Sequence, residues 1–167
     1  HAILTGQPLI GLEPFAVILA DDLCVNMNES VLSQMIKIYS KFQCSIVAIQ
    51  EIPIEESSKY GIISGNLIQN SNDLYQVKDL VEKPDTDSAP SNLAIIGRYI
   101  LTPDIFSILK KIKPGIDKEI QLTDALIHQA KKGKLIAYKF KGMRFDCGSI
   151  KGYLNATNHF AKILDID

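Results

Sequence analysis

Arginine and cysteine are scarce in these 167 residues, and charge of neither sign dominates. Arginine occurs only as Arg98 and Arg144, and neither stands in a glycine-rich turn, so no basic phosphate-cradling loop is legible. The net charge is −1 and no Lys/Arg block interrupts the chain. That gives no electrostatic footprint for nucleic acid or for a membrane surface, and neither is expected as a partner. No apolar run approaches the roughly 20 residues that a membrane-spanning helix needs. No secretory signal pattern opens the chain, and the cytoplasm is the expected compartment. Cys24, Cys44 and Cys147 are odd in number and widely spaced. They fit neither a disulfide framework nor a CxxC metal site, so reduced thiols are expected. His128 and His159 belong to helix surfaces on this reading, and no Ser/His/Asp order or histidine cluster offers a nucleophile with its base. Repeats, low-complexity tracts and long linkers are also missing, which leaves one domain over residues 1–167.

What is present is an ordinary globular composition, 46% hydrophobic and 22% charged, in a chain long enough to bury a core. Phe15-Ala16-Val17-Ile18-Leu19-Ala20 is a continuous apolar run ending in Asp21-Asp22. Continuity rather than alternation predicts a strand buried on both faces, as in a parallel sheet. Asn28-Glu29-Ser30 offers N-caps for a helix in which Val31, Met35, Tyr39 and Phe42 recur at helical spacing. Ser45-Ile46-Val47-Ala48-Ile49 is a second buried strand, completing a βαβ unit with a right-handed crossover. Tyr60 to Gly65 and Leu74 to Val81 flank a polar turn at Asn70-Ser71-Asn72-Asp73 and read as antiparallel strands. Leu93 to Leu101 is another apolar strand, with Gly97 inside it. Pro103-Asp104 starts a short helix that should stop near Lys113-Pro114-Gly115, and residues 123–132 form another, stopped at Gly133. Leu135 to Phe145 reads as one alternating strand. Ser149 then caps a last helix with Tyr153, Ala156, Phe160 and Ile163 on one face. The class is α/β with a mixed sheet.

Two strand ends carry aspartates. Asp21-Asp22 closes one apolar strand, and Phe145-Asp146-Cys147-Gly148-Ser149 puts another aspartate before a glycine and a helix start. Open α/β sheets bind ligands at the carboxyl ends of their strands, and Mg²⁺ in phosphate sites takes one or two carboxylates plus phosphate oxygens. Turn or cap roles are the alternative for each aspartate taken alone. Val81-Glu82-Lys83-Pro84 joins a carboxylate, which accepts from sugar hydroxyls, to an ammonium, which binds phosphate. Its alternative is a solvated pair before a proline turn. Gly61 and Gly97 either permit close backbone approach to a ligand or mark bulges. Glu119-Ile120-Gln121-Leu122-Thr123-Asp124 either holds a sugar or caps a helix, with capping the simpler role for Thr123.

Taken in order, the strand ending at Asp21, then Tyr60-Gly61, then Val81-Glu82-Lys83-Pro84, resembles the sugar-1-phosphate nucleotidyltransferases. Ala89-Pro90-Ser91-Asn92-Leu93-Ala94-Ile95-Ile96-Gly97-Arg98-Tyr99, Glu119 to Ala125 and Asp146-Cys147-Gly148 are similar to the bacterial UTP–glucose-1-phosphate uridylyltransferase branch in particular. The resemblance implies a doubly wound, Rossmann-like nucleotidyltransferase fold. It implies a reaction in which glucose 1-phosphate and UTP give UDP-glucose and pyrophosphate, with Mg²⁺ as cofactor. It makes Asp21 and Asp146 the metal ligands and, with Lys83, the catalytic set. Glu82 would hold glucose hydroxyls, Lys83 the sugar phosphate, and Gly61, Asn92 and Gly97 the sugar pocket, while Asp22 would be silent. A homo-oligomer is also common in the family. Two departures accompany the resemblance. Ala20 stands where the family usually has proline, and the family's G-x-G-T-R-x-x-P-x-T-K loop and uracil-binding segment have no counterpart here. The expectation is therefore an N-terminally incomplete domain that does not turn over by itself. A different nucleotide specificity and a non-catalytic sugar-phosphate-binding module are the alternatives.

Overall fold

The computed structural model describes residues 1–113 and 120–165. The expected helix stop at Pro114-Gly115 and Glu119 of the later motif lie outside them. Two single-turn helices, α1 (Ala2–Thr5) and α2 (Gln7–Ile10), precede β1 (Phe15–Ile18) and β2 (Asp22–Val25). Helix α3 (Val31–Phe42) follows, capped by Ser30, whose side chain accepts from the Ser33 N–H at 3.1 Å. After β3 (Ser45–Glu51) come β4 (Gly61–Leu67) and β5 (Leu74–Glu82), then β6 (Leu93–Leu101). Helices α4 (Asp104–Leu109) and α5 (Leu122–Lys131) lead to β7 (Leu135–Lys139), β8 (Met143–Asp146) and α6 (Ile150–Leu164).

Six strands form one mixed sheet in the order β1-β6-β3-β7-β5-β4. Strand β3 is its centre. Ile46 and Ala48 face α3, where they pack with Val31 and Met35, while Val47 and Ile49 face α4 and α5 with Phe106, Leu109 and Leu126. Both faces are covered, which is why the run at β3 is continuously apolar. The β4–β5 hairpin is antiparallel, from Gly61↔Glu82 to Leu67↔Tyr75, as the polar turn between them requires.

Three expectations are corrected here. Strand β1 is an edge strand, alternately half-buried and exposed, and it runs antiparallel to β6 with Phe15 opposite Leu101. It is parallel to β3 only at one remove, because β6 lies between them. A short apolar run records that something apolar is needed, not how many faces will be covered. The segment from Leu135 is two strands, not one. Buried β7 runs parallel to β3, and beyond Gly142 (φ 147°) the chain turns into β8, which leaves the main sheet to pair with β2. Strand β2 itself was not foreseen. In α6, only Ala156 is fully buried, while Tyr153 is 60% and Ile163 42% exposed.

The sheet leaves a gap that matters. Strand β3 occupies one edge of β6. On the other edge β1 pairs only with residues 98–101, and β4 meets β6 only at Ala94. Ile95, Ile96 and Gly97 therefore border an opening between two strands that share an edge.

Candidate functional site

That opening is the floor of a cleft of about 340 Å³. Its lining includes Asp21, Asp146, Arg144 and Tyr60 as well as Glu82, Thr123 and Gln121, with Gly61 and Gly97 on the sheet strands. Of the residues expected at the site, Asp21, Asp146, Gly61, Glu82 and Gly97 come together. Lys83 and Asn92 do not line the cleft; both are exposed, Lys83 with a left-handed backbone (φ 45°).

The two aspartates at the end of the β2–β8 ribbon are placed by register. Asp22 lies directly opposite Asp146, and Cys24 opposite Arg144. Period-two alternation puts all four side chains on one face of the ribbon. Directly opposed like charges repel, and Arg144 answers that repulsion. Its Nε donates to the Asp22 carboxylate, and its Nη2 lies 3.8 Å from Asp146 Oδ2. Arg144 also donates to the Tyr60 hydroxyl at 3.2 Å, with its guanidinium 5.0 Å from the centre of the Tyr60 ring. Burial acts to lower the Arg144 pKa, but the hydrogen bonds and charges of Asp22 and Tyr60 outweigh it and hold the guanidinium protonated.

Asp22 is the correction to the expectation of a silent residue. It is buried, and its Oδ2 accepts from the Gly97 N–H at 2.8 Å. A Cβ added at Gly97 would lie 2.7 Å from Leu19 Cβ and 2.8 Å from Asp22 Oδ2. Gly97 is thus a glycine so that the segment 19–22 can lie against β6. The space its missing side chain leaves is filled by protein.

Asp21 is exposed instead, and its carbonyl accepts from the Cys147 N–H at 2.7 Å, tying it to the loop after β8. Gly148 measures the approach of the two carboxylates. A Cβ built there would lie 3.1 Å from Asp21 Oδ2 and 3.2 Å from Asp146 Oδ1. Asp146 Oδ1 accepts from the Gly148 N–H at 3.1 Å. Two carboxylates thus converge on one point from separate strand ends, and both face the cleft. Among the described residues no set of three His, Cys, Asp or Glu side chains gathers as a metal site. The pair suits a hard cation that completes its shell with ligand oxygens and water.

At the other side, Thr123 Oγ1 donates to Glu82 Oε2 at 2.5 Å. This corrects the capping role expected for Thr123, since Gln121 is the N-cap of α5 and Thr123 lies within the first turn. Tyr99 also lines the cleft, and its hydroxyl is pushed up to about 12, first by burial and then by the negative charges of Glu82 and Asp22. His159 is likewise not a plain surface residue, because its ring packs 5.0 Å from Phe145 and its Nε2 is buried. Arg144 was given no place in the site from the sequence, while Tyr60 and Thr123 stood inside quoted motifs without a site role assigned to either hydroxyl. Arg144 had a usable signal, lying two residues before Asp146 on a strand and therefore on the same face. The motifs flagged Tyr60 and Thr123 but could not name their partners, which lie 84 and 41 residues away.

A family model described as "Nucleotidyl transferase" matches residues 1–163. A UTP–glucose-1-phosphate uridylyltransferase of Pseudomonas aeruginosa strain PAO1 is 63% identical over 159 residues, covering 95% of this chain and 56% of that protein. Among solved structures, a UDP-glucose pyrophosphorylase complexed with UDP-glucose is 61% identical with a TM-score of 0.92, covering 97% of this chain and 61% of that one. A UTP-bound UGPase from Acinetobacter baumannii is 35% identical with a TM-score of 0.84, covering 96% of this chain and 55% of the other. The chain thus spans a little over half the length of the relatives it matches. With the mixed, doubly covered sheet and its strand-end carboxylates, the chain belongs to the nucleotidyl transferase family.

Proposed function

We propose that this chain supplies the sugar end and the metal end of a uridylyltransferase site that converts UTP and glucose 1-phosphate to UDP-glucose and pyrophosphate. The observation that carries the proposal is the convergence of Asp21 and Asp146 in a cleft that Glu82 also lines. A nucleotide sugar offers both partners, a charged diphosphate for a cation held by the aspartates and hydroxyls for Glu82. Asp21 and Asp146 would hold Mg²⁺, which when bound neutralises charge on phosphate oxygens. Arg144 would do no chemistry. It pairs with Asp22 and lies 3.8 Å from Asp146 Oδ2, which leaves Asp146 Oδ1 and the Asp21 carboxylate for the cation. Glu82 would accept from glucose hydroxyls, with Gly61 beside it and Gly97 shaping the sheet floor. Lys83 follows Glu82, is exposed and has no ion pair among the described residues, but it lies off the cleft lining, so the reading does not depend on it. Asn92, exposed and outside the cleft, takes no role here. The cytoplasm suits the three free cysteines, and no helix among the described residues is long and apolar enough to cross a membrane.

Calorimetric titration with UDP-glucose, with and without Mg²⁺, tests this. Binding should strengthen with Mg²⁺ in the parent chain and lose that dependence in Asp21→Ala and Asp146→Ala. Glu82→Ala should weaken binding whether or not Mg²⁺ is present. Absence of binding at millimolar ligand, or Mg²⁺ dependence that survives both aspartate changes, would sink the reading.

A further inference from the structure

The Glu82 carboxylate is anchored at one oxygen. Its Oε2 receives the Thr123 hydroxyl at 2.5 Å and lies beside Gly61, where an added Cβ would come within 3.2 Å of Oε2 and 3.6 Å of Thr123 Oγ1. Glu82 is the last residue of β5, directly opposite Gly61 in the sheet, while Thr123 belongs to the first turn of α5. A hydroxyl has one hydrogen to give, and here it is given across elements. Thr123 neither caps α5 nor bonds back to its own helix, and it is 8% exposed. A polar side chain buried at a helix start for the sake of one carboxylate has no need of that carboxylate for helix formation. With Oε2 engaged, Oε1 is the oxygen that remains for a ligand.

Resting on the reading of Glu82 as the acceptor of glucose hydroxyls, we infer that Thr123 is the positioning residue of the sugar end. Its hydroxyl sets the rotation of the Glu82 carboxylate and thereby the preference for a nucleotide sugar over the bare nucleotide. The chain meets a ligand with Oε1 already directed, so binding does not have to order a mobile glutamate.

The test is the ratio of UDP-glucose to UDP affinity, measured by titration of the 167-residue chain and its variants. Thr123→Val, which keeps the shape and removes the hydroxyl, should reduce the preference for UDP-glucose about tenfold, the lower end for a hydrogen bond to a charged group. UDP affinity should not change. Thr123→Ser restores the hydroxyl and should restore the preference, an outcome that a purely packing role for the methyl would not give. Thr123→Ala serves as the second variant if valine disturbs the helix start. If Glu82→Gln loses the preference while Thr123→Val and Thr123→Ala keep it, this inference is overturned and the proposed function stands. If the parent chain shows no preference for UDP-glucose over UDP, both fall.

Discussion

Asp21 and Asp22 are chemically identical neighbours with opposite duties. Asp22 is 7% exposed and neutralises Arg144, while Asp21 is exposed at the cleft. Removing one partner of a buried ion pair leaves an uncompensated charge, so Asp22→Ala should cost about 3–5 kcal/mol of stability. Asp21→Ala should stay within about 0.5 kcal/mol, as surface changes do. Urea denaturation of the two variants checks this, and equal midpoints would refute the division of labour. Cys44 gives a pH prediction. Burial pushes its thiol up to about 11 from an ordinary value of 9.0. The folded state then keeps a proton that the unfolded chain has lost, so stability is full below the lower value and falls as pH rises to the upper one. Tyr99 acts in the same direction at higher pH. Melting temperatures measured across this alkaline range should decline, and Cys44→Ala should flatten the lower part of the decline. An unaltered slope in that variant would count against the assignment.

At the scale of elements, the cleft depends on β6 being shared by two strands that do not meet. The segment between β1 and β2 lies on Gly97, where Leu19 N–H donates to Gly97 O at 2.9 Å and the Asp22 carboxylate receives the Gly97 N–H. Gly97→Ala would force a methyl to within 2.8 Å of Asp22 Oδ2, so the segment must lift. The expected cost is about 1–3 kcal/mol, typical of overpacking. The functional cost should be larger, because Asp21 moves with Asp22 and loses its convergence with Asp146. Mg²⁺-dependent UDP-glucose binding should therefore fall even under conditions where the variant remains folded. A variant with full binding would show that Asp21 is held by the Cys147 loop alone.

Among the described residues, exposed large apolar side chains are most numerous on α6, while Leu9 and Leu12 near the start of the chain are individually the most exposed. Ile150 is 82%, Leu154 53% and Leu164 63% exposed, and Ile18 is 53% exposed. Exposed apolar side chains grouped on one helix can bind hydrophobic dyes. Dye fluorescence should be substantial for the native chain and should drop in an Ile150→Lys/Leu154→Lys double variant without loss of melting temperature. Unchanged fluorescence would assign the binding to apolar surface away from α6, such as Leu9 and Leu12.

The linear order of residues determined the class of fold, the buried β3 strand, the α3 and α6 caps at Ser30 and Ser149, and the β4–β5 hairpin. Each depends on local rules: apolar continuity, a hydroxyl before a helix, a polar turn between alternating strands. The motifs around Asp21, Glu82 and Asp146 were also legible, because chemically distinctive residues sat at strand ends. Tertiary structure alone decided that β1 is an edge strand and that the segment after Leu135 divides between two sheets. It also decided which of two adjacent aspartates is buried, and that Thr123 serves Glu82 rather than its helix. Those outcomes turn on pairings such as Asp22 with Arg144, 122 residues apart. No local pattern encodes such a pairing, because the energy of a carboxylate depends on which charge folding brings beside it.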